Sequence, residues 1–345
     1  MPARERVECE RLSIVVLTYN RKPLLADCLN SLLAQTYSRD KLEIIVINDG
    51  SLDGTDELAR EVMSAHEHVR YFYQSHKGIP ATRNHGITKA TGDIIAIVAD
   101  DYILAPDYAE TVMTFFRQNP DAAVVRFKVV PSRFDLGSRI SHFYFDLSVR
   151  RRLYEAANPP PLGWKKHIKR LLQKMSMPDE KITTRHGLEA AGAAAFRREV
   201  FSKVGSFDES LKRAEDTDMT KRLSSIGIPV YYFPHHHIRH QYSPFLLDTI
   251  YKCFYTGFNR YKYYQKHGEL AERKYGVIKA LLVMKLNFML NILWRARQTT
   301  SARECLLFLP FIVLFEVVNK LGFLSSWLLS KAWGKTPGRI ITREQ

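Results

Sequence analysis

Two adjacent aspartates, Asp100 and Asp101, directly follow the apolar run IIAIVA over residues 94–99. Such a run predicts a buried strand, so both carboxylates lie at its carboxyl end. Two like charges held side by side repel unless a cation joins them. Mg²⁺ and Mn²⁺ prefer carboxylate oxygens together with phosphate oxygens. The pair therefore predicts a divalent cation that neutralises a bound phosphate, and a purely structural Asp-Asp turn is the alternative.

The elements that must position these aspartates alternate along the first hundred residues. Apolar runs predict strands, and a three-to-four-residue apolar spacing predicts helices between them. The predicted strands are 13–18, 43–48, 70–73 and 94–99, and the predicted helices are 23–35, 53–65 and 80–90. This alternation predicts a mostly parallel α/β sheet with helices on both faces and a ligand crevice at the carboxyl ends of the strands.

Polar side chains also follow two of the other predicted strands. Thr18, Tyr19 and Asn20 end the first strand, and Asn48 and Asp49 end the second. These clusters are expected to converge with the aspartate pair in one crevice. The sequence contains neither GxGxxG after the first strand nor GxxxxGK[ST], so a bound nucleotide must be held without those phosphate-binding loops.

The composition favours anionic partners. Lys and Arg number 51 against 36 Asp and Glu, which gives a formal net charge of +15. Such a balance suits nucleotide phosphates, an anionic membrane surface or nucleic acid. The basic excess lies mainly in 149–174 and after about 259, without the spacing of a nucleic-acid-binding module, so nucleic acid is not the expected partner.

The cysteines and the first residues indicate the compartment. The four cysteines are widely separated and form no CxxC pair, which argues against a zinc knuckle or a disulfide framework. The first residues are charged up to the first strand, unlike a secretory signal peptide. A cytoplasmic catalytic part is therefore expected.

Four segments, in this order and spacing, closely resemble family 2 glycosyltransferases of the GT-A fold. They are LSIVVLTYNRKPLLADCLNSLLAQTY, IIVINDGSLDGTDELA, KGIPATRNHGITKATGDIIAIVADD and GAAAFRREVFSKVGSFDESLKRAEDTDMTKRL. The resemblance extends from about residue 12 to about residue 240. It implies a Rossmann-like, mostly parallel sheet and an inverting transfer of a sugar from a nucleoside diphosphate donor to an acceptor hydroxyl.

The resemblance assigns the nucleotide base to the ends of the first two strands. The positions of Thr18, Tyr19 and Asn20 line the base pocket in the family, and Asp49 corresponds to the acceptor of the uracil N–H. A UDP-sugar is therefore the favoured donor. The alternatives are structural: Asn20 could cap the helix that begins near Pro23, and Asp49 could be a turn residue.

Further positions follow from the same segments. Arg83 corresponds to an arginine that faces the donor, where a guanidinium can bind base or diphosphate oxygens, although a solvated helix face is the alternative. Gly192 corresponds to a glycine that lets the backbone approach the acceptor or the donor sugar. The family's asparagine two residues later is Ala194 here. Asp53 is predicted to be a helix N-cap and is not assigned to the site.

The metal site departs from the family's usual Asp-x-Asp. Asp101 corresponds to the last aspartate, which holds the metal, and Asp100 to the variable middle position. The first aspartate of the family usually contacts the donor ribose and sugar, and Asp100 is expected to compensate for its loss as a donor contact. Ala99 stands where the first aspartate is usual, so one carboxylate is missing. His240 corresponds to a histidine that completes the shell of the Mn²⁺ or Mg²⁺ ion or contacts the diphosphate. Poorer candidates for that role are His235, His236 and His237.

Glu215 and Asp216 are the candidate catalytic carboxylates. Asp216 shares a helical face with Met219, which predicts that it points inward, whereas Asp218 pairs with Arg222 at i+4 on the predicted outward side. The family's Glu-Asp motif assigns the general base to the aspartate, so Asp216 is expected to take the acceptor proton, with Glu215 as the alternative. Favourable placement of acids in a first helical turn is the purely structural reading.

The expected domain division follows the resemblance. A GT-A catalytic domain covers 1–260, with a nucleotide-binding half at 1–101 and an acceptor half at 102–260 that contains a basic insert at about 133–186. A helical, membrane-associated tail covers 261–345. The resemblance has faded in this tail.

Two apolar segments in the tail, 276–294 and 304–333, predict attachment to a membrane. The second is long enough to cross a bilayer, but Pro310, Glu316, Asn319 and Lys320 interrupt it, so interfacial or re-entrant attachment is favoured over a full span. Basic residues flank both segments and suit an anionic surface. A helical pair buried against the catalytic domain is the alternative.

Together these features predict a metal-dependent inverting glycosyltransferase at the cytoplasmic face of the plasma (inner) membrane. A glycan or lipid-linked acceptor and a role in cell-surface polysaccharide or glycolipid synthesis are expected. Two alternatives remain: a nucleotidyltransferase, and a non-catalytic, membrane-bound protein that binds sugar nucleotides.

Overall fold

The computed structural model describes residues 11–145, 183–188, 191–267 and 302–332. Most of the predicted basic insert, and the first apolar segment of the tail, lie outside these residues. The chain divides into two compact units, which are described separately. The first unit comprises Met1–Phe134 and Arg152–Tyr242, and the second comprises Asp135–Arg151 and Ser243–Gln345.

Strands and helices alternate in the first half of the first unit. The elements are β1 (Leu12–Thr18), α1 (Lys22–Leu33), β2 (Leu42–Asn48), α2 (Thr55–Ala65), β3 (Val69–Tyr73), α3 (Ile79–Lys89), β4 (Ile94–Ala99), β5 (Tyr102–Ile103) and α4 (Tyr108–Gln118). A 3-10 turn over Arg39–Lys41 precedes β2. The seven elements predicted from the apolar spacing are therefore confirmed to within two residues at each end.

The remaining elements of this unit complete the sheet and carry the Glu-Asp motif. They are β6 (Val124–Pro131), β7 (Thr183–His186), β8 (Ala193–Arg197), α5 (Glu199–Val204), α6 (Glu215–Ser225) and β9 (Val230–His240). β2 is buried along its whole length and β4 is buried except at its last residue. Helices therefore cover both faces of these strands, as continuous apolar runs predict.

The described strands form one mixed sheet in the order β3-β2-β1-β4-β8-β6-β9-β5, and β7 pairs with β9. The strands from β1 to β4 are mutually parallel where they pair. β8 runs antiparallel to both β4 and β6, whereas β6 and β9 are parallel. The fold is thus α/β, with a parallel half formed by β1 to β4 and a mixed second half.

The register brings the polar strand ends into line. Thr18 pairs with Asn48 across β1 and β2, and Leu17 pairs with Ala99 across β1 and β4. β5 pairs antiparallel with the end of β9, which places His240 opposite Tyr102. Because these pairings fix the carboxyl ends of β1, β2 and β4 side by side, the residues that follow them share one edge of the sheet.

The second unit is helical where the structure describes it. It contains a helical segment over 136–145, α7 (Leu246–Lys266) and α8 (Ala302–Ala332). A buried cluster joins the three and comprises Ile140, Phe143, Tyr144, Cys253, Phe308, Ile312 and Phe315. Thus α7, which the sequence places largely in a catalytic domain ending at 260, belongs to the same compact unit as the C-terminal helix.

Two glycines allow α7 and α8 to touch through their backbones. A Cβ on Gly257 would lie 1.8 Å from the carbonyl oxygen of Asn319, and a Cβ on Gly322 would lie 2.1 Å from that of Phe254. The side-chain amide of Asn319 also donates to the carbonyl of Cys253 over 2.9 Å. Within the described residues, Leu307–Ala332 is the stretch long and apolar enough to cross a membrane by length and composition.

Candidate active site

The cation that joins Asp100 and Asp101 is the guanidinium of Arg21. Its Nη1 atom lies 3.1 Å from Oδ1 of Asp100 and 3.0 Å from Oδ2 of Asp101. The Arg21 side chain is 40% exposed, whereas that of Asp100 is 4% exposed. Burial raises the pKa of Asp100 to about 6; Arg21 opposes this shift and Asp101 adds to it. A residue of this chain therefore offsets one of the two negative charges of the acidic pair.

Contacts between the loops after β1 and β2 fix the backbone around Arg21. Asn20 adopts a left-handed conformation with φ of 49°. Its backbone N–H donates to Oγ of Ser51 over 2.9 Å, and its Oδ1 accepts from the backbone N–H of Leu52 over 2.7 Å. Asn20 therefore ties the two loops together. The alternative that its side chain caps α1 is wrong, since Arg21 is the N-cap residue and makes no side-chain cap bond.

Asp53 completes this connection between the loops. Its Oδ2 accepts from the backbone N–H of Lys22 over 2.8 Å, and its Oδ1 accepts from that of Thr55 over 3.2 Å. The prediction that Asp53 is the N-cap of α2 is wrong by one residue, because Gly54 occupies that position with φ of 82°. The carboxylate nevertheless satisfies one backbone donor at the start of each helix.

His240 lies at the acidic pair, where the sequence predicted it. Its Nε2 atom is 3.1 Å from Oδ2 of Asp101, and its ring contacts those of Tyr102 and Tyr242 edge-on. His236 lies elsewhere: its Nδ1 atom is 3.5 Å from Oγ1 of Thr111. Alternation along β9 leaves His235 and His237 exposed. The pairing of β9 with β5 therefore selects His240 from the four histidines.

The side chains around Asp101 are the candidate ligands for Mn²⁺ or Mg²⁺. Among the described residues, no group of three or more His, Cys, Asp or Glu side chains is arranged to hold a metal ion. Asp101 and His240 supply one carboxylate and one imidazole, and Asp100 lies next to them. Such donors suit a hard divalent cation that takes its remaining ligands from phosphate oxygens and water. The residues present therefore fit a divalent cation that would take its other ligands from elsewhere.

A stacked pair of rings lies at the end of β1. The rings of Tyr19 and His76 are 4.1 Å apart between centroids and inclined by 27°. The Nδ1 atom of His76 lies 2.9 Å from Oδ2 of Asp49. Sequence reasoning missed His76, since it lies between β3 and α3 and only the fold brings it to Tyr19. Thr18, in contrast, is buried at the last position of β1.

Asp49 organises the segment between β3 and α3. Its Oδ1 accepts from Nε2 of Gln74 over 2.7 Å and from the backbone N–H of Lys77 over 2.9 Å. Its Oδ2 accepts from the backbone N–H of Gly78 over 2.9 Å, in addition to the contact with His76. A carboxylate has about four lone-pair sites. A base N–H can therefore bind Asp49 only if it replaces one of these partners.

Arg83 and Glu215 form a buried ion pair between α3 and α6. Nη1 of Arg83 lies 2.6 Å from Oε1 of Glu215, and the guanidinium lies 5.1 Å from the ring centroid of Phe207. Burial raises the pKa of Glu215, and Arg83 opposes that shift. The alternative that Arg83 lies on a solvated helix face is wrong, because only 8% of the residue is exposed.

Asp216 is half-buried beside this pair. Its Oδ1 accepts from the backbone N–H of Thr217 over 2.7 Å. Asp218, predicted to point outward, is fully buried, so that prediction is wrong. The predicted pair with Arg222 does form, at 2.8 Å, but the guanidinium also donates to the carbonyl of Val204 at the end of α5. Arg222 therefore connects α6 to α5 and covers Asp218.

Gly192 lies against the end of β4. A Cβ on Gly192 would lie 3.4 Å from Cβ of Ala99 and 3.7 Å from Cε2 of Tyr102, both ordinary contacts. The surrounding residues therefore do not require a glycine at this position. Ala194 is fully buried and pairs with Ile97 within the sheet.

Tyr102 connects the two halves of the site. Burial raises the pKa of its phenol; the charge of Asp101 adds to this shift, whereas that of Arg83 opposes it. The same tyrosine lies between the position of Gly192 and the ring of His240. The first unit therefore gathers the acidic pair, the histidine and the arginine of the buried ion pair around one aromatic side chain.

The sequence of this chain is similar to those of known proteins. Residues 13–205, more than half of the chain, match the family described as Glycosyl transferase family 2. The chain is 26% identical over 223 residues to a glucosyl-dolichyl phosphate glucuronosyltransferase of Haloferax volcanii, a match that covers 64% of the chain and 63% of that protein. It is 39% identical over 104 residues to the uncharacterised glycosyltransferase YibD of Escherichia coli K12, covering 30% of each. The matches thus span less than two thirds of these relatives.

A solved structure resembles the fold. The mannosyltransferase PcManGT of Pyrobaculum calidifontis, in complex with GDP-Man and Mn²⁺, aligns with a TM-score of 0.55 at 18% identity and covers 94% of this chain and 88% of that one. The architecture is therefore that of the GT-A fold. With the family match over 13–205, this chain belongs to glycosyl transferase family 2.

Proposed function

We propose that this protein transfers a sugar from a nucleoside diphosphate donor to an acceptor hydroxyl with inversion at the anomeric carbon. Family membership supports sugar transfer. The Arg83–Glu215 pair is the observation that supports the mechanism most directly, because it commits Glu215 to an ion pair, whereas the neighbouring Asp216 is half-buried and the described hydrogen bonds to its carboxylate come from Thr217. A single displacement needs one such carboxylate to take the acceptor proton.

Asp216 is the proposed general base. Among the residues that the structure describes, the hydrogen bonds to its carboxylate come from the adjacent Thr217 and end on Oδ1, so Oδ2 is available to an acceptor hydroxyl. Glu215 is instead a positioning residue, which fixes the first turn of α6 against Arg83. Gly192 leaves room for the acceptor or the donor sugar near the end of β4.

The donor is proposed to be a UDP-sugar. Tyr19 and His76 offer flat rings for a nucleotide base at the end of β1, with Thr18 and Asn20 beside them. Asp49 would bind the uracil N–H after giving up one of its loop partners. Hexosyl transfer is proposed from the family. The mannosyltransferase PcManGT is in complex with GDP-Man, so the base of the donor must be tested directly.

Asp101 and His240 are the proposed ligands of Mn²⁺ or Mg²⁺. When bound, a divalent cation supplies positive charge to the departing diphosphate. Asp101 offers its carboxylate at the carboxyl end of β4, and His240 orients its Nε2 atom toward the same oxygen. Asp100 is the proposed carboxylate contact to the donor.

The acceptor is proposed to be a glycan or a lipid-linked sugar at an anionic membrane surface. The relative from Haloferax volcanii is named for a dolichyl-phosphate-linked glucose, which supports a lipid-linked acceptor. One face of α8 presents exposed apolar side chains with a three-to-four-residue spacing: Leu307, Leu314, Val317, Leu321, Leu324 and Leu328. Such a stripe suits contact with lipid. The cytoplasmic face of the plasma (inner) membrane, in cell-surface polysaccharide or glycolipid synthesis, is the proposed setting.

A panel of nucleotide sugars tests this function. The full chain, in detergent with Mn²⁺ or Mg²⁺, should release the nucleoside diphosphate from a UDP-sugar at a rate that a chelator abolishes and an added acceptor increases. Product anomers identified by NMR should be inverted relative to the donor. A retained configuration would contradict inversion, and binding of donors without turnover would favour the non-catalytic alternative.

A further inference from the structure

One oxygen of the acidic pair has two cationic neighbours. Oδ2 of Asp101 lies 3.0 Å from Nη1 of Arg21 and 3.1 Å from Nε2 of His240. The same nitrogen of Arg21 reaches Oδ1 of Asp100 at 3.1 Å. A metal ion held by Asp101 and His240 would therefore lie close to the guanidinium of Arg21. Two cations cannot share that oxygen without strong repulsion in a partly buried site.

We propose that Arg21 is a resident counter-cation that competes with the divalent metal for Asp100 and Asp101 and thereby sets the metal affinity of the donor-free protein. The inference rests on the metal site of the proposed function. Metal binding to Asp101 and His240 displaces the Arg21 side chain from the carboxylates, and loss of metal lets it return.

Arg21 is the partner that is able to move. Its side chain is 40% exposed, whereas those of Asp100 and Asp101 are 4% and 11% exposed. Its backbone is held between Asn20 and Lys22, both of which are tied to the loop after β2. A long side chain on a fixed backbone can swing away without unfolding the loop. Moving either aspartate would instead require a shift of β4 or β5.

The competition couples metal binding to donor binding. Without donor, a metal ion binds only if it displaces Arg21 into solvent. Binding then costs the contacts of Arg21 with Asp100 and Asp101. A diphosphate adds negative charge, which stabilises both the metal and the displaced guanidinium. Metal and nucleoside diphosphate should therefore bind with positive cooperativity, and each must raise the affinity of the other by the same factor. Removal of Arg21 should weaken this coupling.

The test measures Mn²⁺ binding by electron paramagnetic resonance of free Mn²⁺, using the full chain in detergent with no nucleotide. Arg21→Gln should bind Mn²⁺ at least about tenfold more tightly than the native chain. Arg117→Gln is the matched control, since it removes an exposed arginine that pairs with Glu110 and changes the net charge equally. Its affinity should equal that of the native chain.

Two further measurements keep the inference falsifiable. Arg21→Lys, which keeps the charge but has no planar fork to bridge two carboxylates, should give an intermediate affinity. With UDP present, the difference between Arg21→Gln and the native chain should shrink. Equal or weaker Mn²⁺ binding by Arg21→Gln, or unchanged binding after Asp101→Ala in the Arg21→Gln background, would overturn the proposal. Because no sugar donor is used, inactivity toward every nucleotide sugar would reject the proposed function without affecting this result.

Discussion

Arg83 on α3 donates to Glu215 at the start of α6 over 2.6 Å, and both side chains are buried. The two residues are separated by 132 positions in the sequence. Their contact fixes α6, which carries Asp216, against α3, which lies between β3 and β4. The position of the proposed base therefore depends on an ion pair whose proposed role is to position α6 and not to transfer the proton.

Replacement of Asp216 by asparagine should abolish most of the transfer while leaving the fold intact. A general base contributes about a hundredfold or more to the rate, and asparagine cannot accept the acceptor proton. Donor affinity, measured by calorimetry, should stay within about twofold. Glu199→Gln, which changes another first-turn carboxylate, serves as the control. Near-native turnover by Asp216→Asn, together with loss of activity in Glu215→Gln, would assign the base to Glu215.

Breaking the Arg83–Glu215 pair should destabilise the protein more than removing both charges. Arg83→Met leaves the buried Glu215 without its partner, so the free energy of unfolding should fall by about 3–5 kcal/mol. The double variant Arg83→Met/Glu215→Gln should recover at least half of that loss. Urea unfolding of the four proteins gives the double-mutant cycle. Additive losses would show that the pair contributes no coupling.

The Asp101→Ala variant should lose donor affinity only when a divalent cation is present. Asp101 would hold the proposed metal, which would supply positive charge to the diphosphate, so without metal this side chain is not expected to contribute to donor affinity. Isothermal titration with UDP, with Mn²⁺ and then with excess chelator, compares the two conditions. Equal affinities of the native chain with and without chelator would remove the metal from the mechanism.

Glu43 predicts a specific dependence of stability on pH. Burial alone would raise its pKa, but hydrogen bonds from Ser13, Thr91 and Arg70 outweigh burial and lower the pKa to about 2. A lowered folded-state pKa stabilises the protein fully above about pH 4.5, and this contribution is lost as the pH falls toward 2. Glu43→Gln should therefore cost about 3 kcal/mol at pH 7.

The pH dependence distinguishes this cause from a simple loss of packing. The difference in unfolding free energy between Glu43→Gln and the native chain should shrink steadily between pH 4.5 and pH 2.5, as followed by urea unfolding. A difference that stays constant over this range would mean that the charge of Glu43 does not contribute.

The exposed face of α8 should carry the membrane attachment. Leu321→Glu with Leu324→Glu places two charges on the apolar stripe without touching the packed face, which contains Phe315 and Gly322. This variant should stay in the supernatant with anionic liposomes, whereas the native chain should sediment and be released only partly by high salt. Met63→Glu on α2 is the control. A native chain that stays in the supernatant would reject the attachment.

Local patterns were sufficient to predict the parallel half of the sheet, β1 to β4. Apolar runs such as 43–48 and 94–99 are buried on both faces, so their hydrophobicity alone marks them as central strands. The crevice then follows from the parallel pairing, which puts Thr18, Asn48 and Ala99 at one edge. Glu215, Asp216 and His240 required the resemblance, because no short-range pattern distinguishes them from ordinary helix and strand residues.

The contacts that define the site were beyond the sequence because they are non-local. Arg21 reaches Asp100 and Asp101 across about 80 positions, and only the register of β1 against β4 brings them together. His76 stacks on Tyr19 for a similar reason. Asp218 shows the limit of helical periodicity: a partner on the same face, Arg222, also bonds to a neighbouring helix and so buries a carboxylate that the spacing places outside.

The close approach of α7 and α8 at Gly257 and Gly322 joins the two helices by contacts that do not depend on the surrounding solvent. Contacts between backbones depend on shape and dispersion, which act in hydrocarbon as well as in water, unlike the burial of large apolar side chains. The bond from Asn319 to the carbonyl of Cys253 strengthens as water is excluded. These contacts between α7 and α8 therefore do not require water around the helix pair, in contrast to the packing of Phe308, Ile312 and Phe315 in the same unit.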